Sequence, residues 1–395
     1  REAGKGGQSR LDVFIHRALE RCPSLHSNYW PLLWAPNAVL QLALLTLLGK
    51  GAHGRREMLT LADGGNVALD WFASRPPGTG AAGAAKRSAP PSIQAGCLAG
   101  EAPGSHAATR HTVQVGSASP PRKVLLILHG LTGGGDDPLV GGVVREATRA
   151  GWLCVAFNRR GHSRTRLSTP HLPSFGDTAD LREVLAHIVS CMHTPARSVS
   201  MPISMPPPPA RCPAPSPLPC ASDQPLTLPP DLVLCAVGIS AGGGLLAKYL
   251  GEVAEGTPLT AAVCISPGYD IDAMIRGALP SLFNRALTHN LQKFLRQHRA
   301  ELEGHIDVDH ALAASCWHEF DDRVYCRLYR CTLDEHYQRN NPMVSVGSSV
   351  TPTLCINSLD DPVCVKELIP FDRFQQQPNM VLATTQRGSH CTFYE

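Results

Sequence analysis

Residues 232–244 have the sequence Leu-Val-Leu-Cys-Ala-Val-Gly-Ile-Ser-Ala-Gly-Gly-Gly, in which an apolar run leads into a glycine-rich turn. The run has the composition of a buried parallel strand, and the residues after the turn predict a helix to about Tyr249. Gly238, Ser240 and Gly242 match the pattern G-x-S-x-G of a nucleophile elbow, where only small neighbours let the backbone make the strained turn that exposes the serine. The pentapeptide alone is common by chance. Its place between a strand and a helix favours a nucleophilic role for Ser240.

The same alternation of strand and helix extends along much of the chain. Apolar runs that predict buried strands occur at 124–128, 152–157, 261–266, 353–357 and 380–384, and helical spacing occurs at 138–150 and 177–192. Asp63-Gly64-Gly65 lies between two short strand-like segments and predicts a hairpin. The alternation predicts the α/β class, and with the elbow an α/β-hydrolase fold, with a mostly parallel central sheet and helices on both faces.

Composition divides the chain into three parts. Residues 1–74 form an amino-terminal block with the first strands, 75–121 predict a disordered insertion rich in Gly, Ala, Ser and Pro, and 122–395 form the catalytic core. Within the core, 194–230 hold 13 of the 34 prolines, which favours a surface loop. A ligand for an SH3 or WW module is the alternative for that loop. Residues 268–340 are mostly helical and interrupt the strand rhythm, as a helical cap would.

A serine nucleophile requires a base and an acid, which in this fold follow it in the order acid, then histidine. His390 is the single histidine after the pair Asp360-Asp361, and it follows the last predicted strand. Both aspartates end a strand whose carboxyl edge faces the expected site. Asp361 is favoured over Asp360 because Pro362 forces an extended backbone on the residue before it. The predicted catalytic residues are therefore Ser240, Asp361 and His390.

Two backbone N–H groups are expected to stabilise the oxyanion that forms when the serine attacks. One is the N–H of Ala241, directly after the nucleophile. The other is the N–H of Leu131, in the loop His129-Gly130-Leu131-Thr132 after the first long strand. A phosphate-binding loop is the competing interpretation of these glycines, but Asp136-Asp137 follow where such a loop needs Lys and Ser or Thr.

The composition excludes several classes of protein. The formal net charge is +3 and no stripe of Lys and Arg alternates with aromatic residues, so no nucleic-acid partner is expected. The 14 cysteines are scattered without a C-x-x-C pair or a zinc spacing. Several lie in apolar runs where a free thiol packs as a small hydrophobe: Cys154, Cys235, Cys264 and Cys355. No metal and no cofactor is expected.

Nothing near the start of the chain is long enough to anchor it. The apolar stretch at 38–48 is shorter than the about 20 residues that cross a bilayer. The chain begins with Arg1 rather than Met, as a fragment without its natural start would, and an upstream anchor stays open. The expected location is at a membrane or in the cytoplasm.

The chain resembles the abhydrolase-domain-containing lipases and esterases, a family that includes medium-chain phospholipases, acylglycerol lipases and fungal ethanol acyltransferases. The matching motifs are Tyr29-Trp-Pro31 with Trp34 and Asn37, Asp63-Gly-Gly65 with Leu69-Asp-Trp71, His129-Gly-Leu-Thr-Gly-Gly134, Asn158-Arg-Arg-Gly161, Gly238-Ile-Ser-Ala-Gly-Gly243, Glu319-Phe-Asp-Asp322 and Asn357-Ser-Leu-Asp-Asp361. The resemblance implies Asp361 as acid and His390 as base. Residues 331–341 match only loosely, and the two insertions are atypical. Relatives continue past the end of this chain into a closing helix, so we expect low stability or activity without it.

The expected function is hydrolysis of carboxylic esters of lipids through an acyl-enzyme on Ser240. The resemblance implies short- or medium-chain acylglycerols or phospholipids as substrates, met at a membrane surface. Leu279, Leu282, Phe283 and Leu287 of the cap fit either an acyl channel or ordinary core packing. Two alternatives stay open: acyl transfer to an alcohol by the same three residues, and a non-catalytic scaffold that binds partners through its Pro-rich loop. Acyl length, head group and oligomeric state stay undetermined.

Overall fold

The structure is a computed structural model that describes residues 38–73, 123–193 and 226–393, together with 16, 20–22 and 29–30. The predicted insertion at 75–121 lies outside the described residues, and so do 194–225 of the Pro-rich loop. Pro31, Trp34 and Asn37 of the amino-terminal motif lie outside them as well. The domain boundaries drawn from composition therefore stay predictions.

Within the described ranges, eight strands form one sheet. They are β1 Arg55–Thr60, β2 Asn66–Phe72, β3 Lys123–Leu128, β4 Leu153–Asn158, β5 Val233–Ile239, β6 Ala261–Ile265, β7 Thr353–Ser358 and β8 Met380–Thr385. Their spatial order is β1-β2-β4-β3-β5-β6-β7-β8. Strand β2 runs antiparallel to both of its neighbours, and all other neighbouring pairs are parallel. The sheet is mostly parallel, as predicted.

Helices join the strands and follow them along the chain. The α-helices are α1 Ala38–Leu48, α2 Pro138–Arg149, α3 Ala179–His193, α4 Ala241–Val253, α5 Ile271–Ala273, α6 Ser281–Gln297, α7 Arg299–Leu302, α8 Val308–Leu312, α9 Trp317–Asp321, α10 Arg327–Tyr329, α11 Leu333–Asn340 and α12 Phe371–Gln376. Met274–Ala278 and Asp322–Cys326 are π-helical, and Ala254–Gly256, Pro342–Val344, Val346–Ser348 and Lys366–Leu368 are 3₁₀ turns. Among the residues that the structure describes, no helix combines the length and apolar character needed to cross a membrane.

The predicted hairpin joins β1 to β2. Thr60 lies opposite Asn66, and the N–H of Leu61 donates to the carbonyl of Gly65 at 2.8 Å. Gly64 has a φ of 81°, in the left-handed region that favours glycine. The hairpin prediction is confirmed, with its turn where the glycines indicated.

The central strand β3 shows how the sheet builds a core on each face. Side chains alternate along a strand, so its residues divide between the two faces. Val124, Leu126 and Leu128 join a buried cluster with residues of α3 and α4. Leu125 and Ile127 join a separate cluster with residues of α2. Helices therefore cover both faces of the sheet, as predicted.

The helices between residues 271 and 340 pack around a third buried cluster. Leu295, Trp317 and Phe320 are among its members. The same cluster includes Cys364 from the loop after β7 and packs against Leu131 from the loop after β3. The helical region therefore lies over the edge of the sheet where those strands end, which is where a cap was expected.

The four apolar cap residues singled out in the sequence do not behave alike. Leu279 is buried in this cluster, and Phe283 and Leu287 pack against it half-buried. Leu282 is 74% exposed, so its assignment to a channel or core was wrong. The reason is helical phase, since Leu282 precedes the buried Leu291 by two and a half turns of about 3.6 residues and faces the opposite side of α6.

Candidate active site

Ser240 lies in a tight turn between β5 and α4. Its φ is 54° and its ψ is −118°. This backbone conformation is strained for an L-residue, and such strain is concentrated at functional sites. A Cβ at Gly238 would lie 2.4 Å from the carbonyl oxygen of Gly242, and one at Gly242 would lie 2.4 Å from that of Leu128. Close backbone approach therefore requires both glycines of the motif, and the turn they permit places Ser240 at the carboxyl edge of the sheet.

The structure brings Ser240, His390 and Asp361 together in one hydrogen-bonded chain. The Nε2 atom of His390 lies 2.8 Å from the Oγ of Ser240, and its Nδ1 atom lies 2.8 Å from the Oδ2 of Asp361. Asp361 is itself fixed, because its Oδ1 accepts the N–H groups of Val363 at 2.8 Å and Cys364 at 2.9 Å. The three side chains follow β5, β8 and β7, which are parallel strands ending at the same edge.

The carboxylate of Asp360 has hydrogen-bond partners of its own. Its Oδ1 accepts the hydroxyl of Ser358 at 2.5 Å and the N–H of Ser389 at 2.9 Å. It therefore ties the end of β7 to the residue before His390. Of the two aspartates, Asp361 contacts the imidazole and Asp360 holds the backbone that carries it. The sequence offered one signal for this second role, the adjacency of two aspartates at a strand end.

The surroundings of His390 favour its charged form. Burial lowers its pKa, but the charge of Asp361 and the hydrogen bond to it contribute in the opposite direction, and the pKa lies well above the ordinary value. The side chain of Asp361 is fully buried, whereas that of His390 keeps 13% of its exposure. The pair is therefore arranged to stabilise an imidazolium that forms next to Ser240.

The loop after β3 approaches the nucleophile closely. A Cβ built on Gly130 would lie 3.5 Å from the Cβ of Ser240. The carbonyl of Gly130 accepts the N–H of Gly133 at 3.1 Å and lies 2.7 Å from the Nδ1 of His129. Burial lowers the pKa of His129 to about 4, so its ring is neutral near pH 7. These contacts fix the shape of the loop around Leu131.

The two predicted oxyanion donors belong to segments next to Ser240 in the chain or in space. Leu131 follows Gly130 directly, and Ala241 is the first residue of α4. An N–H in the first turn of a helix has no intrahelical acceptor and carries the positive end of the helix dipole. The assignment of Leu131 and Ala241 as oxyanion donors stays a prediction.

An ion-pair network that the sequence did not reveal supports this edge of the sheet. The buried guanidinium of Arg160 contacts Asp63 at 2.6 Å and Asp180 at 2.7 Å. It thereby joins the β1–β2 turn to α3. Nothing local in the motif Asn158-Arg-Arg-Gly161 indicates such distant partners, so the sequence does not predict this network.

Cys364 lies beside the hydrogen-bonded chain. Asp361, Cys364 and His390 place possible ligand atoms within 4.8 Å of one another, as a metal site would. The thiol of Cys364 donates to the carbonyl of Ser266 at 3.2 Å, and burial raises its pKa to about 11. The carboxylate and the imidazole are already bonded to each other. The three side chains therefore all belong to the hydrogen-bonded site.

We compared the chain with family models, with curated protein sequences and with solved structures. No family model matches the chain. It is 27% identical over 397 residues to human "Phospholipase ABHD3", covering 99% of the chain and 78% of that protein. It is 26% identical over 391 residues to human "Protein ABHD15", covering 98% of the chain and 68% of that protein. An esterase structure from Exiguobacterium antarcticum matches with a TM-score of 0.42 and 12% identity, covering 85% of the chain and 92% of that structure.

An eight-stranded, mostly parallel sheet with a serine elbow after its fifth strand defines the chain as an α/β hydrolase. Within that superfamily, the chain is similar to the abhydrolase-domain lipases and esterases. It is accordingly a carboxylic ester hydrolase.

Proposed function

We propose that this protein cleaves carboxylic esters of lipids through an acyl-enzyme on Ser240, with His390 as base and acid and Asp361 as the group that orients and stabilises the imidazole. The observation that carries the proposal is the unbroken chain from the Oγ of Ser240 to the carboxylate of Asp361, with 2.8 Å at each contact. Such a chain at a strained elbow is what nucleophilic catalysis by serine requires.

In the proposed reaction, the Oγ of Ser240 attacks the acyl carbon while the Nε2 of His390 takes the hydroxyl proton. The N–H groups of Leu131 and Ala241 donate to the oxyanion of the tetrahedral intermediate. His390 returns its proton to the leaving alcohol as the ester bond breaks. Water then attacks the acyl carbon while His390 takes its proton. As the bond from the acyl carbon to the Oγ of Ser240 breaks, His390 returns the proton to that oxygen and the fatty acid is released.

A lipid ester is the substrate class that the surroundings favour. Relatives are named "Phospholipase ABHD3" and "Monoacylglycerol lipase". Leu131 packs half-buried against the apolar cluster of the cap, which also includes Phe283 and Leu287 at its border. An acyl chain bound at Ser240 would meet this apolar surface first. We therefore place the acyl chain beneath the cap and the protein at a membrane surface, without a cofactor.

The test is Ser240→Ala. We expect it to abolish fluorophosphonate labelling and esterase activity, with a loss on the order of 10⁴ to 10⁶ in kcat. Ser348→Ala, at an exposed 3₁₀ turn, is the matched control and should label and turn over as the parent does. Labelling that persists in Ser240→Ala would place the nucleophile elsewhere. Ethanol added to the same assay separates hydrolysis from acyl transfer, since only transfer yields the ethyl ester.

A further inference from the structure

The loop that carries His390 has a strained backbone. Ser389, Cys391 and Phe393 have φ values of 57°, 64° and 43°, in the left-handed region that L-residues seldom adopt. Such conformations persist only where surrounding contacts hold them. The position of the imidazole therefore depends on what the loop is tied to.

The carboxyl edge of the sheet holds one side of this loop. The N–H of Ser389 donates to the Oδ1 of Asp360 at 2.9 Å, at the end of β7. The N–H of Cys391 donates to the Oγ of Ser266 at 3.3 Å, directly after β6. These two bonds fix the backbone on each side of His390 toward the strands.

Helix α1 holds the other side of the loop. The hydroxyl of Ser389 donates to the carbonyl of Ala38, the first residue of α1, at 2.7 Å. The hydroxyl of Thr392 lies between two acceptors, the Oε1 of Gln41 at 3.2 Å and the carbonyl of Gly388 at 2.9 Å. Contacts to α1 therefore occur both before and after the catalytic histidine.

Gln41 is a buried amide at the centre of these contacts, with 1% of its surface exposed. A buried amide is costly unless its hydrogen bonds are made. Its Nε2 donates to the hydroxyl of Tyr29 at 3.1 Å, and the ring of Tyr29 meets that of Phe393 edge-on with centroids 6.2 Å apart. Gln41 therefore joins the amino-terminal motif to the histidine loop.

The far end of α1 is anchored beside the predicted oxyanion loop. A Cβ on Gly49 would lie 2.5 Å from the Cβ of Pro138, the first residue of α2, and the Nη1 of Arg145 on α2 donates to the carbonyl of Lys50 at 2.9 Å. Helix α1 has 11 residues, fewer than the about 12–15 that a helix needs to be stable on its own. It therefore depends on these contacts and connects the helix after the oxyanion loop to the histidine loop.

We propose that Gln41 is a positioning residue for catalysis, which acts through Thr392 to hold the strained loop so that the imidazole of His390 stays between Ser240 and Asp361. The proposal rests on the proposed function, because it concerns the base that Ser240 uses there. The imidazole is 2.8 Å from each of its two partners. A displacement of about 1 Å in a catalytic group can cost about 100-fold in rate.

The test breaks the contact between Gln41 and Thr392 from each side. Gln41→Met keeps the length of the side chain and removes the amide, and Thr392→Val keeps the shape and removes the hydroxyl. We expect each to lower kcat by about 10- to 100-fold and to change KM by less than about twofold. Thr392→Ser retains the hydroxyl and should recover most of the parent kcat. The double variant Gln41→Met with Thr392→Val should be about as slow as the slower single variant, because both changes remove one contact.

Gln292→Met is the matched control. The Nε2 of Gln292 on α6 donates to the carbonyls of Leu312 at 3.0 Å and Ala314 at 2.8 Å, so the variant removes a similar amide within the cap. We expect it to lower the melting temperature and to leave kcat unchanged. A folded Gln41→Met protein with the kcat of the parent would refute the positioning role.

A pH–rate profile distinguishes positioning from a general loss of stability. Asp361 raises the pKa of His390, so a looser contact between them should move the rise of kcat/KM to lower pH in Gln41→Met and in Thr392→Val. The Gln292→Met profile should coincide with that of the parent. Profiles for Gln41→Met and Thr392→Val that also coincide with the parent would count against the proposal.

Hydrogen-exchange mass spectrometry tests the tether without turnover. In a Ser240→Ala background, the backbone N–H groups of the peptide 386–393 should exchange faster when Gln41→Met or Thr392→Val is added. Should Gln41→Met fail to fold, Thr392→Val carries the same test, because it leaves α1 unchanged. Unaltered exchange in this peptide would overturn the tether. Absence of turnover and of fluorophosphonate labelling in the parent would instead overturn the proposed function, and the exchange rates would still decide whether α1 holds the loop.

Discussion

Replacing Asp361 by Asn separates the role of its charge from that of its shape. The Oδ1 of Asp361 accepts two backbone N–H groups, from Val363 and Cys364. An amide at this position must keep its oxygen there, because an NH₂ group facing two N–H donors would be repelled. The amide nitrogen then takes the place of Oδ2 and faces the Nδ1 of His390.

That orientation reverses the hydrogen bond to the imidazole. An NH₂ donor makes the Nδ1 of His390 the acceptor, so the ring proton moves to Nε2, and Nε2 can no longer accept the proton of Ser240. The variant also removes the charge that stabilises the imidazolium. A wrong tautomer in a serine triad costs on the order of 10⁴ in kcat, and we expect a loss of that size for Asp361→Asn.

Asp360→Asn is the matched control, because it makes the same charge change one residue away. The amide oxygen can still accept the hydroxyl of Ser358 and the N–H of Ser389. Weakening these two bonds costs on the order of 1 kcal/mol, or about fivefold in rate. The assay is kcat/KM on one soluble ester, with circular dichroism to show that both variants fold. A loss for Asp360→Asn equal to or larger than that for Asp361→Asn would refute the assignment of the acid.

Three further predictions concern the pH dependence of catalysis, the glycines of the elbow and the ion pairs of Arg160. Catalysis needs neutral His390, and Asp361 holds the pKa of that imidazole above its ordinary value. In a pH–rate profile, kcat/KM should therefore rise with pH through that pKa. In Asp361→Asn the same rise should occur at lower pH, because the charge that raises the pKa is gone. Gly242→Ala places a Cβ 2.4 Å from a backbone carbonyl and should lower the melting temperature strongly, whereas Gly277→Ala, with nothing within 4 Å, should leave it nearly unchanged. Arg160→Met leaves two carboxylates without their buried partner and should destabilise the fold by about 3–5 kcal/mol in urea unfolding, and an unchanged midpoint would contradict the network.

Local sequence was sufficient to predict the elements that carry the site. An apolar run, a glycine turn and a helix follow one another at Ser240 within a few residues, so short-range sterics determine the elbow. The choice between Asp360 and Asp361 also followed from local sequence, because Pro362 forces an extended backbone on the residue before it. For this reason, the predicted strands and the hairpin agree with the structure to within a residue or two.

Features that depend on distant packing could not be predicted. A cavity lined by Thr132 also has Arg164 and His298 in its wall, from segments about 30 and 170 residues further along the chain. Nothing near Arg160 in the sequence indicates Asp63 as a partner. The exposure of Leu282 depends on which side of α6 faces the cap, and an apolar residue near a helix start does not specify that side. Such contacts follow from the assembled tertiary structure and not from residue type or spacing.

The most direct test of the central claim is mass spectrometry of the trapped acyl-enzyme. The protein is mixed with a short-chain nitrophenyl ester, quenched in acid within the first turnovers, digested, and its peptides are sequenced. Acylation of the peptide that contains Ser240, at that residue and at no other, is the result predicted here. Turnover without acylated Ser240, or with the acyl group on a different residue, would contradict the account.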